Sequence, residues 1–295
     1  MKLRGTYTAI ISPFKSDQTF DAAAFEKLVV RQVDAGVEGI VVVGTTGEAP
    51  TVDIEESIDI FELAREIAGH KLQLIFGLTS NSTKTLLKYV AKINPLRPSA
   101  ILSATPYYNK PTQKGILEHF TCLANETDLP IVLYNVPGRA AANIDPSTVV
   151  ELSRLSNIIG IKEASGSLSQ VRDVLEGVPE SFSVLSGNDD QNVEIIKLGG
   201  RGTISVASNV IPVVVKKSVD AALEGDFDVA DALDQQYAQF YKDIFIENNP
   251  QSIKTLLAHL GLCQEVFRLP MTTMLPHNRE RLIASWQAVE KFTRT

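Results

Sequence analysis

Lys162 ends a short apolar run, Ile158-Ile159-Gly160-Ile161-Lys162. A period of two puts Ile158, Gly160 and Lys162 on one face, with Ile159 and Ile161 on the other. If the branched pair faces a helical layer, Lys162 projects inward above Gly160, which leaves room for its stem. An ammonium held there is partly desolvated, so its pKa falls and the neutral amine becomes accessible. Such an amine condenses with a ketone or aldehyde to a Schiff base, whose iminium is an electron sink. Taken alone, a strand-end lysine more often reaches solvent or pairs with a neighbour, here Glu163.

Other segments carry groups that would serve the same chemistry. Tyr134 sits two positions after Val132 on the preceding apolar run, and a phenol beside an iminium relays the proton of dehydration. Its ordinary role would be a buried tyrosine with a backbone partner. Gly44-Thr45-Thr46-Gly47-Glu48 offers hydroxyl and amide donors in a turn, a weak signal alone. Arg139 follows Pro137-Gly138, a rigid turn that would aim its guanidinium fork at a carboxylate; a solvated surface arginine fits equally well. Tyr107-Tyr108 read as core or interface aromatics. Gly199-Gly200-Arg201-Gly202 would suit a phosphate or a plain tight turn, and no nearby Lys or Ser cluster supports phosphate.

Eight apolar runs position these groups: Thr6–Ile11, Gly39–Val43, Gln73–Phe76, Ala100–Ser103, Ile131–Tyr134, Ile158–Lys162, Phe182–Leu185 and Thr203–Val206. Each is short and unbroken, as for parallel strands buried on both faces. Amphipathic stretches separate them, most clearly Asp53–Ala68, where Asp53 and Glu56 resemble a capping box and Gly69 a stop. The first run is followed by Ser12-Pro13-Phe14, not the glycine pattern of a dinucleotide fold. The count of eight therefore predicts an α/β fold, a (β/α)8 TIM barrel over residues 1–224. Residues 225–295 hold no strand run, and helices over 227–245, 252–260 and 279–292 predict a small C-terminal helical domain. In such a barrel, functional groups gather at the C-terminal ends of the strands, where Lys162, Tyr134, the Thr45-Thr46 turn and Arg139 all fall.

Composition narrows the remaining classes. The 295 residues carry 28 basic and 35 acidic side chains, net −7, with no basic run longer than Lys216-Lys217. That argues against nucleic-acid and anionic-membrane partners. Only Cys122 and Cys263 occur, in no metal or disulfide spacing, and the four histidines form no ligand pair. No metal site is expected, and a cytoplasmic enzyme without a membrane segment is.

Together, Gly44-Thr45-Thr46-Gly47-Glu48, Thr105-Pro106-Tyr107-Tyr108-Asn109, Tyr134-Asn135-Val136-Pro137, Gly160-Ile161-Lys162-Glu163-Ala164 and Gly202-Thr203-Ile204-Ser205-Val206 resemble the dihydrodipicolinate synthase / N-acetylneuraminate lyase family in order and spacing. The resemblance runs from about Leu3 to Pro270. Arg139 and the paired tyrosines before Asn109 look like the synthase branch, not the sialic-acid lyases. It implies a class I aldol condensation of pyruvate with aspartate 4-semialdehyde, with no metal or organic cofactor. Carried over, Lys162 forms the imine, and Tyr134, Thr46 and Tyr108 form a proton relay, with Tyr108 reaching in from a neighbouring subunit. Thr45 and Thr46 bind the pyruvate carboxylate, Arg139 that of the semialdehyde, and Gly187 and Ile204 contact substrate through their backbone. A homotetramer, a dimer of dimers, is implied.

Some positions depart from the family pattern. Lysine-regulated members often carry His, or His and Glu, where this chain has Ile54 and Ser57, and Glu where it has Thr85. Weak or absent inhibition by lysine is therefore expected. Two competing readings stay open: another pyruvate-dependent aldolase or lyase on the same scaffold, such as a keto-deoxy-sugar lyase, and an idle homologue that only binds small molecules.

Overall fold

The computed structural model describes residues 2–293. The eight apolar runs form strands β1 (Gly5–Ala9), β2 (Gly39–Val42), β3 (Gln73–Gly77), β4 (Ala100–Ala104), β5 (Ile131–Asn135), β6 (Ile158–Glu163), β7 (Ser183–Ser186) and β8 (Gly202–Ser205). Every neighbouring pair is parallel, and β8 returns to β1, so the sheet closes in chain order. Side chains alternate across it. Val41, Ile75, Leu102, Val132, Leu185 and Ile204 fill the interior. Their neighbours Val42, Phe76, Ile101, Leu133, Val184 and Ile161 bury against the surrounding helices. Burying both faces is why these runs read as continuous rather than alternating hydrophobicity.

β6 breaks the alternation at one point. Ile131 pairs with Ile158, but Val132 pairs with Gly160, so Ile159 is an extra residue, a bulge. Ile158 consequently joins Ile161 in the helix-facing layer, and Ile159 packs against the barrel interior. The expected common face of Ile158 and Lys162 is therefore wrong, although Gly160 and Lys162 do share one. Gly160 also has a different task from the one expected. A Cβ there would lie 2.4 Å from the Ser183 carbonyl oxygen, so its bareness lets β7 approach.

The helix Ile54–Ala68 starts and stops where its sequence signals indicate. Asp53 accepts a hydrogen bond from Glu56 N at 2.8 Å, and Gly69 ends the helix in the left-handed region at φ 56°. Such a cap is worth about 1 kcal/mol. The reciprocal half of the capping box is missing, because the Glu56 carboxylate goes to the Arg268 guanidinium instead, at 2.5 and 2.7 Å.

The helix Pro212–Glu224 follows β8 and ends at Gly225; the helices Phe227–Asp243, Gln251–His259 and Pro276–Val289 come after it. Trp286 packs against Phe240, ring centroids 6.0 Å apart, joining the last helix to the first of these three. Residues of the segment from Asn249 to Arg268 reach back over loops at the C-terminal end of the barrel. The Gly199–Gly202 loop precedes β8 and so lies at the opposite end. Arg201 there donates to the Glu180 carbonyl at 2.8 Å, a contact that ties the loop to the turn before β7.

Candidate active site

Tyr134 on β5 and Lys162 on β6 are register partners, so their side chains leave the sheet on the same face, side by side. The Lys162 Nζ stands 4.6 Å from the centre of the Tyr134 ring. Both residues are buried, Lys162 to 5% exposure. Burial lowers the Lys162 pKa to about 8, with the Asp189 charge opposing the shift and the Arg139 charge adding to it. Burial likewise raises the pKa of the Tyr134 phenol, partly offset by Arg139 and by a hydrogen bond with Thr45. The alternative in which Lys162 pairs with Glu163 is excluded. Glu163 points to the opposite face, where it accepts from Asn135 Nδ2 at 3.1 Å, Ser165 N at 2.7 Å and Gln170 Nε2 at 3.1 Å.

An open cavity of about 250 Å³ lies at this mouth, its wall including Gly44, Thr45, Thr105, Tyr107, Tyr134 and Arg139. Lys162 stands beside the Tyr134 ring and is not itself part of that wall. The two threonines of the turn have different surroundings. Thr45 lines the cavity and bonds Tyr134, whereas the Thr46 hydroxyl is buried and accepts from Asn249 Nδ2 at 2.9 Å. Of the two turn threonines, Thr45 is the one that shares the cavity wall with Tyr134, and the Thr46 hydroxyl is turned to Asn249. Arg139 lies on a short helix, Pro137–Ala140, and donates from Nη2 to the Asn249 carbonyl at 3.0 Å.

Gly187 lies directly against the Lys162 stem. Ile204 is fully buried, its side chain packed in the barrel interior. Tyr108 is not brought to the cavity by its own chain. It is 87% exposed with φ 75°, a left-handed conformation that costs a non-glycine residue energy.

Three contributors carried no role in the sequence reading. Asp189 is buried, and its carboxylate accepts from Ser205 Oγ, from Val206 N at 3.0 Å and from Ala207 N at 2.9 Å. Its place in the loop after β7 was the available signal. Asn249 bonds both Thr46 and Arg139, and Glu48 with Lys254 forms a buried ion pair at the same turn. Neither contact is visible in local spacing, since each joins residues some two hundred positions or about a hundred positions apart. Among the described residues, no three His, Cys, Asp or Glu side chains group to hold a metal, and no helix is long and apolar enough to cross a membrane.

A closed eight-stranded barrel with a desolvated lysine and a phenol at its C-terminal mouth defines the class: a (β/α)8 lyase-type enzyme. The chain belongs to the dihydrodipicolinate synthetase family, whose model matches residues 2–289. It is 43% identical over 283 residues to a 4-hydroxy-tetrahydrodipicolinate synthase of Koribacter versatilis, covering 96% of this chain and 94% of the relative. Its fold is similar to that of the 4-hydroxy-tetrahydrodipicolinate synthase from Methylacidiphilum fumariolicum SolV, with TM-score 0.96, 40% identity and coverage of 98% and 97%. It is also similar to a monomeric dihydrodipicolinate synthase variant, with TM-score 0.95, 35% identity and 97% of each chain covered.

Proposed function

We propose that Lys162 captures pyruvate as an imine, and that this chain joins it to L-aspartate 4-semialdehyde to give 4-hydroxy-tetrahydrodipicolinate, opening diaminopimelate and lysine biosynthesis. The observation that carries this reading is the side-by-side placement of a low-pKa amine and a phenol on adjacent strands. Neutral Lys162 adds to the pyruvate ketone, and Tyr134 protonates the carbinolamine hydroxyl as it leaves as water. Loss of a methyl proton from the imine gives an enamine, whose carbon attacks the aldehyde. The amine of the condensed product then adds to the imine carbon and displaces Lys162, closing the ring and returning the proton. The imine is the electron sink throughout, so the chemistry as read calls on no metal or organic cofactor.

Thr45 links Tyr134 to the relay, and Tyr108 completes it from a second copy of the chain. The exposure of Tyr108 supports that assignment, and with it a homo-oligomer of dimer-of-dimers type. The turn at Thr45 and Thr46 receives the pyruvate carboxylate, Arg139 receives that of the semialdehyde, and Gly187 and Ile204 offer backbone groups. A keto-deoxy-sugar substrate would leave Arg139 without an anion to hold. We take the enzyme to work in the cytoplasm, a reading that the free thiols of Cys122 and Cys263 support.

Borohydride reduction in the presence of pyruvate tests the central step. The peptide containing Lys162 should gain the mass of a reduced pyruvate adduct; an unmodified peptide overturns the reading. Arg139→Ala should raise the KM for the semialdehyde while leaving this adduct intact. Wild-type turnover of the semialdehyde that Arg139→Ala does not impair would refute the synthase assignment in favour of another aldolase.

A further inference from the structure

The turn Gly44–Gly47 is bracketed by two non-glycine residues in the left-handed region, Val43 at φ 55° and Glu48 at φ 56°. Such conformations persist only where surrounding contacts over-determine them. For Glu48 those contacts come from the far end of the chain. Its Oε1 accepts from Lys254 Nζ, and its Oε2 accepts from Arg268 N at 3.2 Å. Both charged side chains are fully buried, at 1% exposure for Glu48 and 0% for Lys254. Lys254 donates further to the Val266 carbonyl at 3.0 Å and stands 4.3 Å from the centre of the Phe14 ring.

A buried ion pair seldom stabilises a fold more than well-packed apolar residues of the same volume would. Its value lies in directionality, and here the direction matters. Glu48 N donates to the Thr45 carbonyl at 3.1 Å, and Ala49 N and Gly47 N both donate to the Gly44 carbonyl. The backbone of the carboxylate-receiving turn is therefore continuous with a side chain anchored through both of its carboxylate oxygens, to Lys254 Nζ and to Arg268 N. Lys254 lies on the same helix, Gln251–His259, whose approach carries Asn249 to Thr46 and Arg139.

The geometry points to Glu48 and Lys254 as positioning residues: their buried pair sets the turn of Thr45 and Thr46 at the height where pyruvate's carboxylate must sit for Lys162 to reach its ketone. This rests on the reading of that turn given above. It gives this pair of the C-terminal segment a positioning purpose toward pyruvate, separate from the contact of Asn249 with Arg139.

Glu48→Gln tests it, since the amide keeps the shape and an acceptor oxygen while removing the charge. The expected result is a pyruvate KM raised about tenfold, with the semialdehyde KM changed less than about twofold. Lys254→Arg, which keeps a cation, should recover most of the pyruvate KM relative to Lys254→Met. A folded Glu48→Gln enzyme with an unchanged pyruvate KM overturns the proposal, as does an equal rise for both substrates. Should Glu48→Gln not fold, Glu48→Asp is read by the same two KM values. If neither folds, the pair is a folding element and the positioning role falls. Borohydride labelling of wild-type Lys162 with pyruvate separates the two ideas. No label sinks the site itself, whereas a label with an unmoved KM in the variant sinks only the pair.

Discussion

A methyl group placed on Gly187 would lie 3.0 Å from Lys162 Cε and 2.7 Å from the Ala164 Cβ. Lys162 therefore owes the space for its stem to the loop after β7 on the neighbouring strand. Gly187 N is also held, donating to the Glu163 carbonyl at 2.8 Å, which resists withdrawal of the loop. Gly187→Ala should push the Lys162 amine off its line beside Tyr134. We expect pyruvate-dependent kcat/KM to fall at least about tenfold, equivalent to ~1.4 kcal/mol of barrier. The thermal midpoint should change little beyond what the crowding costs. Steady-state kinetics together with the rate of borohydride labelling check this, and wild-type labelling in the variant would contradict it.

What local pattern can convey, it conveyed. All eight strands lie within a residue or two of the runs read from the sequence, because both faces of each are buried, most of them apolar, and turn residues bound them. That Lys162, Tyr134, Thr45 and Arg139 gather at one mouth was legible too, since each falls at or just after the C-terminal end of its strand. The bulge at Ile159 was not, for a single extra residue in an unbroken apolar run leaves no mark on hydrophobicity. The distinction between Thr45 and Thr46 depends on Asn249, about two hundred residues away, and the burial of Glu48 depends on Lys254. Contacts of that kind arise from tertiary closure and have no period to read.

His119 provides a stability prediction independent of catalysis. It is buried on the helix Gln113–Glu126, with Nδ1 2.9 Å from Thr83 Oγ1 and its edge against Phe120. Burial lowers its pKa to about 4 from an ordinary value of 6.5. Between those values the unfolded chain binds a proton that the folded chain refuses, so stability rises with pH across that window. The contribution is complete above 6.5 and is lost as pH falls towards 4, a difference of roughly 3 kcal/mol at most. His119→Gln should flatten this part of the denaturant-midpoint profile, measured between pH 4 and 7. A variant whose slope matches wild type would show that other groups govern acid sensitivity.

Free lysine should inhibit poorly. A second cavity of about 410 Å³ adjoins the first through Ala49, Pro50 and Tyr107, and its wall includes Ile54, Ser57, Ser80 and Thr85. An ammonium entering it meets hydroxyls and apolar groups. The carboxylate on that wall, Asp53, is engaged in capping the helix Ile54–Ala68. Neutral acceptors give an ammonium far less than a charge-assisted partner would. Titration of the condensation rate with L-lysine should show half-inhibition only above the millimolar range. Thr85→Glu, which adds a carboxylate at the wall, should lower that concentration; sub-millimolar inhibition of the wild-type enzyme would refute the expectation.

The pH profile of imine formation should report Lys162 directly. An amine with pKa about 8 is roughly one-tenth neutral at pH 7, whereas an ordinary lysine would be neutral in only a few parts in ten thousand. Because the neutral form is the nucleophile, kcat/KM for pyruvate should rise about tenfold per unit up to pH 8 and then level. The groups whose charges act on this amine are Asp189, which favours its ammonium, and Arg139, which opposes it. Asp189→Asn removes the supporting charge, so the inflection should move to lower pH, even as the lost acceptor for Ser205, Val206 and Ala207 weakens the fold. Arg139→Gln removes the opposing charge and should move the inflection upward. Rapid-quench labelling at subsaturating pyruvate across pH 6–10 separates these shifts from any change in stability. Inflections that move in neither variant would mean that burial alone sets the reactivity of Lys162, and inflections that move the same way in both would refute the opposed charges.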